Sequence, residues 1–188
     1  MKTHRVWILF ILIVSLAATA VSCRENEGSG KAGWKEMLER ELPVLGHRNW
    51  VVVADAAFPA YTRPGITVIA TGEDHFKVLA EVLHAIDESS HIRPHIYLDR
   101  ELAYVAENDA PGMDACRKQL AEALAGRDAG PIFHQELIDK LDEVAGRFRV
   151  LMLKTTLALP YTSVFIELDC GYWTEEGEAR MREKMKVD

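Results

Sequence analysis

The chain has 188 residues, 48% of them hydrophobic and 27% charged, with a formal net charge of −7. This composition suits one globular domain with a real core and argues against disorder. No Lys/Arg stripe follows the first few residues, which argues against a nucleic-acid partner, because phosphate binding needs a basic surface.

The chain opens MKTHRVWILFILIVSLAATAVSC: Lys2 and Arg5, an apolar run from Val6 to Leu16, then small residues. This is the order of a secretory signal, and the apolar part is short for a membrane span. Cys23 behind Ala20-Val21-Ser22 resembles a bacterial lipobox, in which the Cys is acylated and becomes the first residue. Residues 1–22 are therefore expected to form a lipoprotein signal peptide. The polar, glycine-bearing 23–33 are expected to be a flexible tether, and 34–188 a single domain. The domain would be exported and held to a bacterial membrane by its lipid alone. Simple cleavage after Ala20 and an uncleaved anchor are the other readings of the same leader.

Trp34 to Leu45 carries apolar residues at helical spacing, and Gly46 ends that run. The segment NWVVVAD is short and β-branched, a buried strand, and GITVIAT is a second. Phe76, Leu79, Ala80, Leu83 and Ile86 place one apolar face on a helix over Glu73 to Glu88. RPHIYLD reads as a third strand, followed by a short helical pattern from Arg100 to Glu107. Asp114 to Leu124 is helical, GRDAGP breaks it, and Phe133 to Val144 is helical again. RFRVLMLKT and SVFIELD are two more strands, and Thr174 to Lys186 is a solvated helix. Five strands alternating with helices predict an α/β domain, three-layer αβα, around a mixed, mostly parallel sheet. Cys116, in a helical pattern, and Cys170, at a strand end, are expected to be separate buried thiols.

The chemistry-bearing residues exclude more than they establish. His91 and His95 have a metal-pair spacing, but Pro94 between them opposes a helix, and no Cys-x-x-Cys or His-Glu-x-x-His pattern occurs; no metal is expected. There is no Gly-x-Ser-x-Gly elbow and no glycine-rich phosphate loop. What remains is acid/base chemistry from His47, Asp55, His134 and Tyr161, each at a boundary between elements. Such boundaries are where open α/β sheets place ligands. Taken singly, each has an ordinary structural explanation: a helix cap, a turn former, two surface residues.

Their combination goes further. LGH, then DAAFPAY eight residues on, then FHQEL, then PYTSVFIEL resembles the ribose pyranase and fucose mutarotase family. The matching residues are Gly46-His47, Asp55-Ala56 with Pro59, His134 and Tyr161, over roughly Met37 to Leu168. DAAFPAYT is closer to the fucose-type pattern. The family's Asn two residues after the Tyr is Ser163 here, which offers a hydroxyl but no amide. The resemblance implies a ribose pyranase-like fold, a ring-shaped homo-oligomer with sugar sites near subunit boundaries, and a fucose- or ribose-like monosaccharide as ligand. It implies a cofactor-free isomerase that interconverts anomers or ring forms. His47 would be the principal acid/base, Asp55 would orient it or bind sugar, His134 would be the second proton donor, and Tyr161 and Ser163 would line the pocket. Eight extended residues separate His47 from Asp55 by roughly 26 Å, too far for one monosaccharide. Either GHRN is a turn, or the two residues serve sites completed by different subunits. A non-catalytic carbohydrate-binding lipoprotein and an assembly protein using only the scaffold are the competing readings.

Overall fold

The computed structural model describes residues 31–186. The expected signal peptide, Cys23 and the residues after it up to 30 lie outside them. Helix α1 (Lys31–Glu41) runs into a 3-10 turn at Leu42–Val44, where Pro43 ends regular helix, and takes in the last residues of the expected tether. Then follow β1 (Trp50–Ala54), β2 (Ile66–Ala70), α2 (His75–Asp87), β3 (Ile92–Asp99) and a 3-10 turn at Arg100–Tyr104. The chain continues with α3 (Met113–Ala123), β4 (Ala129–Ile132), α4 (His134–Ala145), β5 (Val150–Lys154), β6 (Val164–Cys170) and α5 (Glu175–Met185). Among the described residues no helix is long and apolar enough to cross a membrane.

The six strands form one sheet in the order β2-β5-β1-β6-β3-β4. β1 and β2 both pair parallel with β5, and β3 pairs parallel with β4. β6 pairs antiparallel with both β1 and β3. Five strands therefore point one way and β6 alone points back: a mixed, mostly parallel sheet, as the alternation of elements predicted.

β1 is buried along its whole length because it sits at the sheet's centre with both faces covered. On one face Val51, Val53, Leu151, Leu153, Val164 and Ile166 pack against the apolar sides of α1, α2 and α3. On the other, Trp50, Val52, Met152 and Phe165 pack against Leu137 and Leu141 of α4. This gives the three layers. α2 starts cleanly because the Asp74 side chain accepts from the N–H groups of Phe76 and Lys77. Gly65 admits the close passage of α4's end: a Cβ there would lie 2.2 Å from the carbonyl oxygen of Ala145.

Two expectations need correction. β4, a sixth strand, occupies part of a stretch read as a helix break; its sequence AGPI has little strand character, and its order comes from pairing with β3 along the sheet edge. The helical pattern after β3 shrinks to the 3-10 turn Arg100–Tyr104. Among the described residues Cys116 and Cys170 are unpaired; Cys116 is buried as expected, but Cys170 is only half-buried.

Candidate functional site

The C-terminal ends of β1 to β5 and the start of β6 share one edge of the sheet. This edge gathers Asp55 after β1, Asp99 at the end of β3, His134 at the start of α4 and Ser163 before β6. His134 Nδ1 lies 2.9 Å from Asp99 Oδ1, and its backbone N–H donates to both carboxylate oxygens of Glu101 at 3.0 and 3.2 Å. Asp99 is 3% exposed. Burial pushes its carboxyl up from the usual range, against the downward pull of His134. A carboxylate on Nδ1 fixes the ring and its tautomer. The imidazole is half-buried, and Nε2 has no partner among the described residues. Tyr161 stands edge-on to it at 5.3 Å between ring centroids, and Phe58 at 6.3 Å.

Asp55 is held from every side. One oxygen accepts from the N–H groups of Ala57 at 2.8 Å and Phe58 at 3.0 Å, and the other from the Ser163 hydroxyl at 2.8 Å. Its own N–H donates back to Ser163 Oγ at 3.1 Å. Lys154 Nζ donates to the Phe58 carbonyl at 2.5 Å, fixing the far side of the same turn. Ser163, expected to line the pocket, is fully buried and has its hydroxyl committed to Asp55.

Beneath this edge lies His75, also fully buried. The Thr155 hydroxyl donates to the Ala54 carbonyl at 2.9 Å, and its single hydrogen is thereby used. His75 Nδ1, 3.0 Å from Thr155 Oγ1, must therefore be the donor, leaving Nε2 a buried lone pair without a partner among the described residues. Burial lowers the pKa of His75 to about 4, so it is a neutral imidazole.

His47 stands at the opposite end of β1. Its Nδ1 lies 2.7 Å from Asp169 Oδ1, and its Nε2 accepts from Arg48 Nε at 3.1 Å. The other Asp169 oxygen takes Arg93 through Nε at 2.9 Å and Nη2 at 2.5 Å, with His95 Nε2 at 3.4 Å. Burial opposes ionisation of Asp169, but these donors outweigh it and hold the carboxyl far below the usual range. The cluster lines a cleft of about 670 Å³ closed on its other side by Thr174, Glu175, Glu178 and Arg182.

The five sequence-predicted residues thus divide. Asp55, His134, Tyr161 and Ser163 meet at one edge; His47 lies at the other, across the five residues of β1. Within one copy Asp169, not Asp55, orients His47. Sequence reasoning missed Asp99, Glu101, Asp169, Arg93 and His95. A signal existed for Asp99 and Asp169: each ends or nearly ends a strand, as Asp55 does. In IRPHIYLD the alternate residues Arg93, His95, Tyr97 and Asp99 share one face of β3, a polar line from one edge to the other. The two non-glycine residues with a left-handed backbone among those described, Arg48 (φ 72°) and Tyr161 (φ 58°), flank the two clusters. Such strain concentrates at functional positions.

No protein-family model matches the chain, and no curated protein matches it. Among solved structures it is similar to Bacillus subtilis RbsD complexed with D-ribose, at 18% identity and a TM-score of 0.48, over 71% of this chain and 91% of that one. It is also similar to FucU from Bifidobacterium longum, at 15% identity and a TM-score of 0.48, over 71% of this chain and 94% of that one. A third is the fucose mutarotase of Streptococcus pneumoniae in complex with L-fucose, at 16% identity and a TM-score of 0.47, over 71% of this chain and 91% of that one.

Proposed function

We propose that this chain is a monosaccharide mutarotase or pyranase-type isomerase, exported and lipid-anchored through Cys23, acting on a fucose- or ribose-like sugar. The observation that carries the reading is the His134–Asp99 pair: an imidazole held through Nδ1 by a buried carboxylate, with Nε2 free beside Tyr161. The motif resemblance, with DAAFPAYT and FHQEL converging on this edge, supports it.

Opening a sugar ring requires that the anomeric hydroxyl lose a proton while the ring oxygen gains one. The C1–ring-oxygen bond breaks and a free aldehyde forms. Reclosure on the other face, or through another hydroxyl, reverses both transfers. With Nδ1–H directed at Asp99, His134 Nε2 carries a lone pair and acts as the base for the anomeric hydroxyl. Asp99 stabilises the imidazolium that results and returns it to the same tautomer. Tyr161 offers a ring face and a hydroxyl to the sugar. Asp55, with Ser163, holds the turn that carries Phe58 against the site. The second proton carrier is His47 of a second copy in a ring-shaped homo-oligomer, because His47 of the same copy lies across the sheet.

One observation favours a non-catalytic sugar-binding role instead. Both oxygens of Asp55 and the Ser163 hydroxyl are satisfied internally, so a single copy presents one proton carrier rather than two.

Saturation-transfer NMR of the anomeric protons of fucose, ribose, galactose and glucose, with and without protein, tests the proposal. Faster exchange for at least one sugar, lost in a folded His134→Ala protein, is the expected result. Binding without faster exchange in a folded oligomer would replace isomerisation with the binding role.

A further inference from the structure

α5 packs unlike the other helices: none of its residues is buried. One side, through Glu175, Glu178 and Arg182, closes the cleft at the His47 edge. The other side carries Gly177, Met181 and Met185 four residues apart, with Trp173, which also borders the cleft, four residues before Gly177. Trp173 is 44%, Met181 39% and Met185 68% exposed. With Arg180 and Lys184 these residues line a groove of about 400 Å³, and no other element among the described residues lines it.

On this side Glu176 lies in the first turn and Arg180 and Lys184 follow; Glu175, Glu178 and Arg182 face the cleft, and Glu183 pairs with Lys186. Glu178 pairs with Arg182, but Glu176, Arg180 and Lys184 form no ion pair among the described residues, and all three are exposed. A helix acidic at its start and basic at its end complements a second copy of itself running antiparallel. A two-fold at Ala179 would set Trp173 against Met185 of the second copy, and Gly177 against Met181. It would place Glu176 between Arg180 and Lys184 of that copy. The Trp173 ring of the same copy borders Gly177, so Met181 of the second copy would rest against that ring. Acidic and basic residues are nearly balanced along the helix, which disfavours an anionic membrane as the occupant.

We propose that the outer face of α5 is a two-fold docking surface for a second copy of this chain. This contact does not rest on the catalytic reading. Eleven residues make a helix about 16 Å long, so the pairing is a weak, concentration-dependent contact below the size of a stable interface.

Sedimentation velocity of the full chain in mild detergent, from low to high micromolar concentration, provides the test. The parent is expected to double its mass reversibly. Glu176→Lys alone, and Arg180→Glu with Lys184→Glu, should each weaken the doubling roughly ten-fold or more. An equimolar mixture of the two variants should restore it, because each supplies the charges the other lacks. Circular dichroism should be unchanged in all of them, since every altered side chain is exposed. A parent whose mass does not change with concentration overturns the proposal. So do charge variants that associate like the parent, a mixture that behaves like its parts, and parent chains that bind anionic vesicles without doubling.

Discussion

His134 and Asp99 meet at 2.9 Å, one half exposed and the other buried, at the end of the sheet where β3 and β4 deliver them side by side. If this pair moves the proton, Asp99→Asn should keep the ring in place yet lower sugar exchange by roughly 10²-fold, because the imidazolium loses its counter-charge. His134→Ala should abolish exchange with the fold intact. The anomeric NMR exchange rate beside a circular dichroism melt checks both. An active Asp99→Asn protein would move the chemistry elsewhere.

Asp55 should matter first to stability. Asp55→Ala leaves the Ala57 N–H and the Ser163 hydroxyl without an acceptor, and the Phe58 N–H with only its 3.4 Å bond to the Asp55 carbonyl, at a cost of about 3 kcal/mol. Ser163→Ala removes one donor to a carboxylate, at about 2 kcal/mol. Urea unfolding at neutral pH measures both. An Asp55→Ala protein as stable as the parent would mean that this carboxylate is available to a ligand.

His75 should give the domain an acid weakness of its own. Its folded pKa is about 4 against an ordinary 6.5, so on acidification the unfolded chain takes up a proton before the folded one does. Stability is complete above pH 6.5 and falls progressively down to pH 4, by roughly 3 kcal/mol. His75→Gln should flatten this part of the stability–pH curve, whatever it costs at neutral pH. An unaltered slope between pH 6.5 and 4 would show that other groups govern it.

Mixing experiments read out the divided site. His47→Ala and His134→Ala proteins should each be inactive, and co-assembled oligomers should regain about a quarter of parental exchange, as expected when one intact site in four forms at random. The same mixture without regained exchange would require both imidazoles to come from one copy, which the opposite ends of β1 oppose.

Much of this arrangement was legible in the residues. Val51 to Val53 announced a central strand, the apolar stripe of α2 announced its packed face, and the distance from His47 to Asp55 implied two edges. β4 was not legible, because Ala129 to Ile132 is ordered by its neighbour rather than by its own propensity. The partner of His134 was hidden for a related reason. Asp99 and His134 are 35 positions apart, and only the parallel pairing of β3 and β4 makes them neighbours. Ser163 was expected to line the pocket, but nothing local distinguishes a hydroxyl that meets a ligand from one that holds Asp55.

β6 joins two parts that otherwise do not touch in the sheet, β2-β5-β1 on one side and β3-β4 on the other. It is also the last strand to leave the ribosome. Until residues 164 to 170 have been synthesised, β1 and β3 each present a bare edge, and no shorter chain can seal them together. The sheet therefore closes in one late step that draws on contacts far apart in the chain, a slow route by topology. Chains halted before this strand would carry two open edges and be prone to stick to one another.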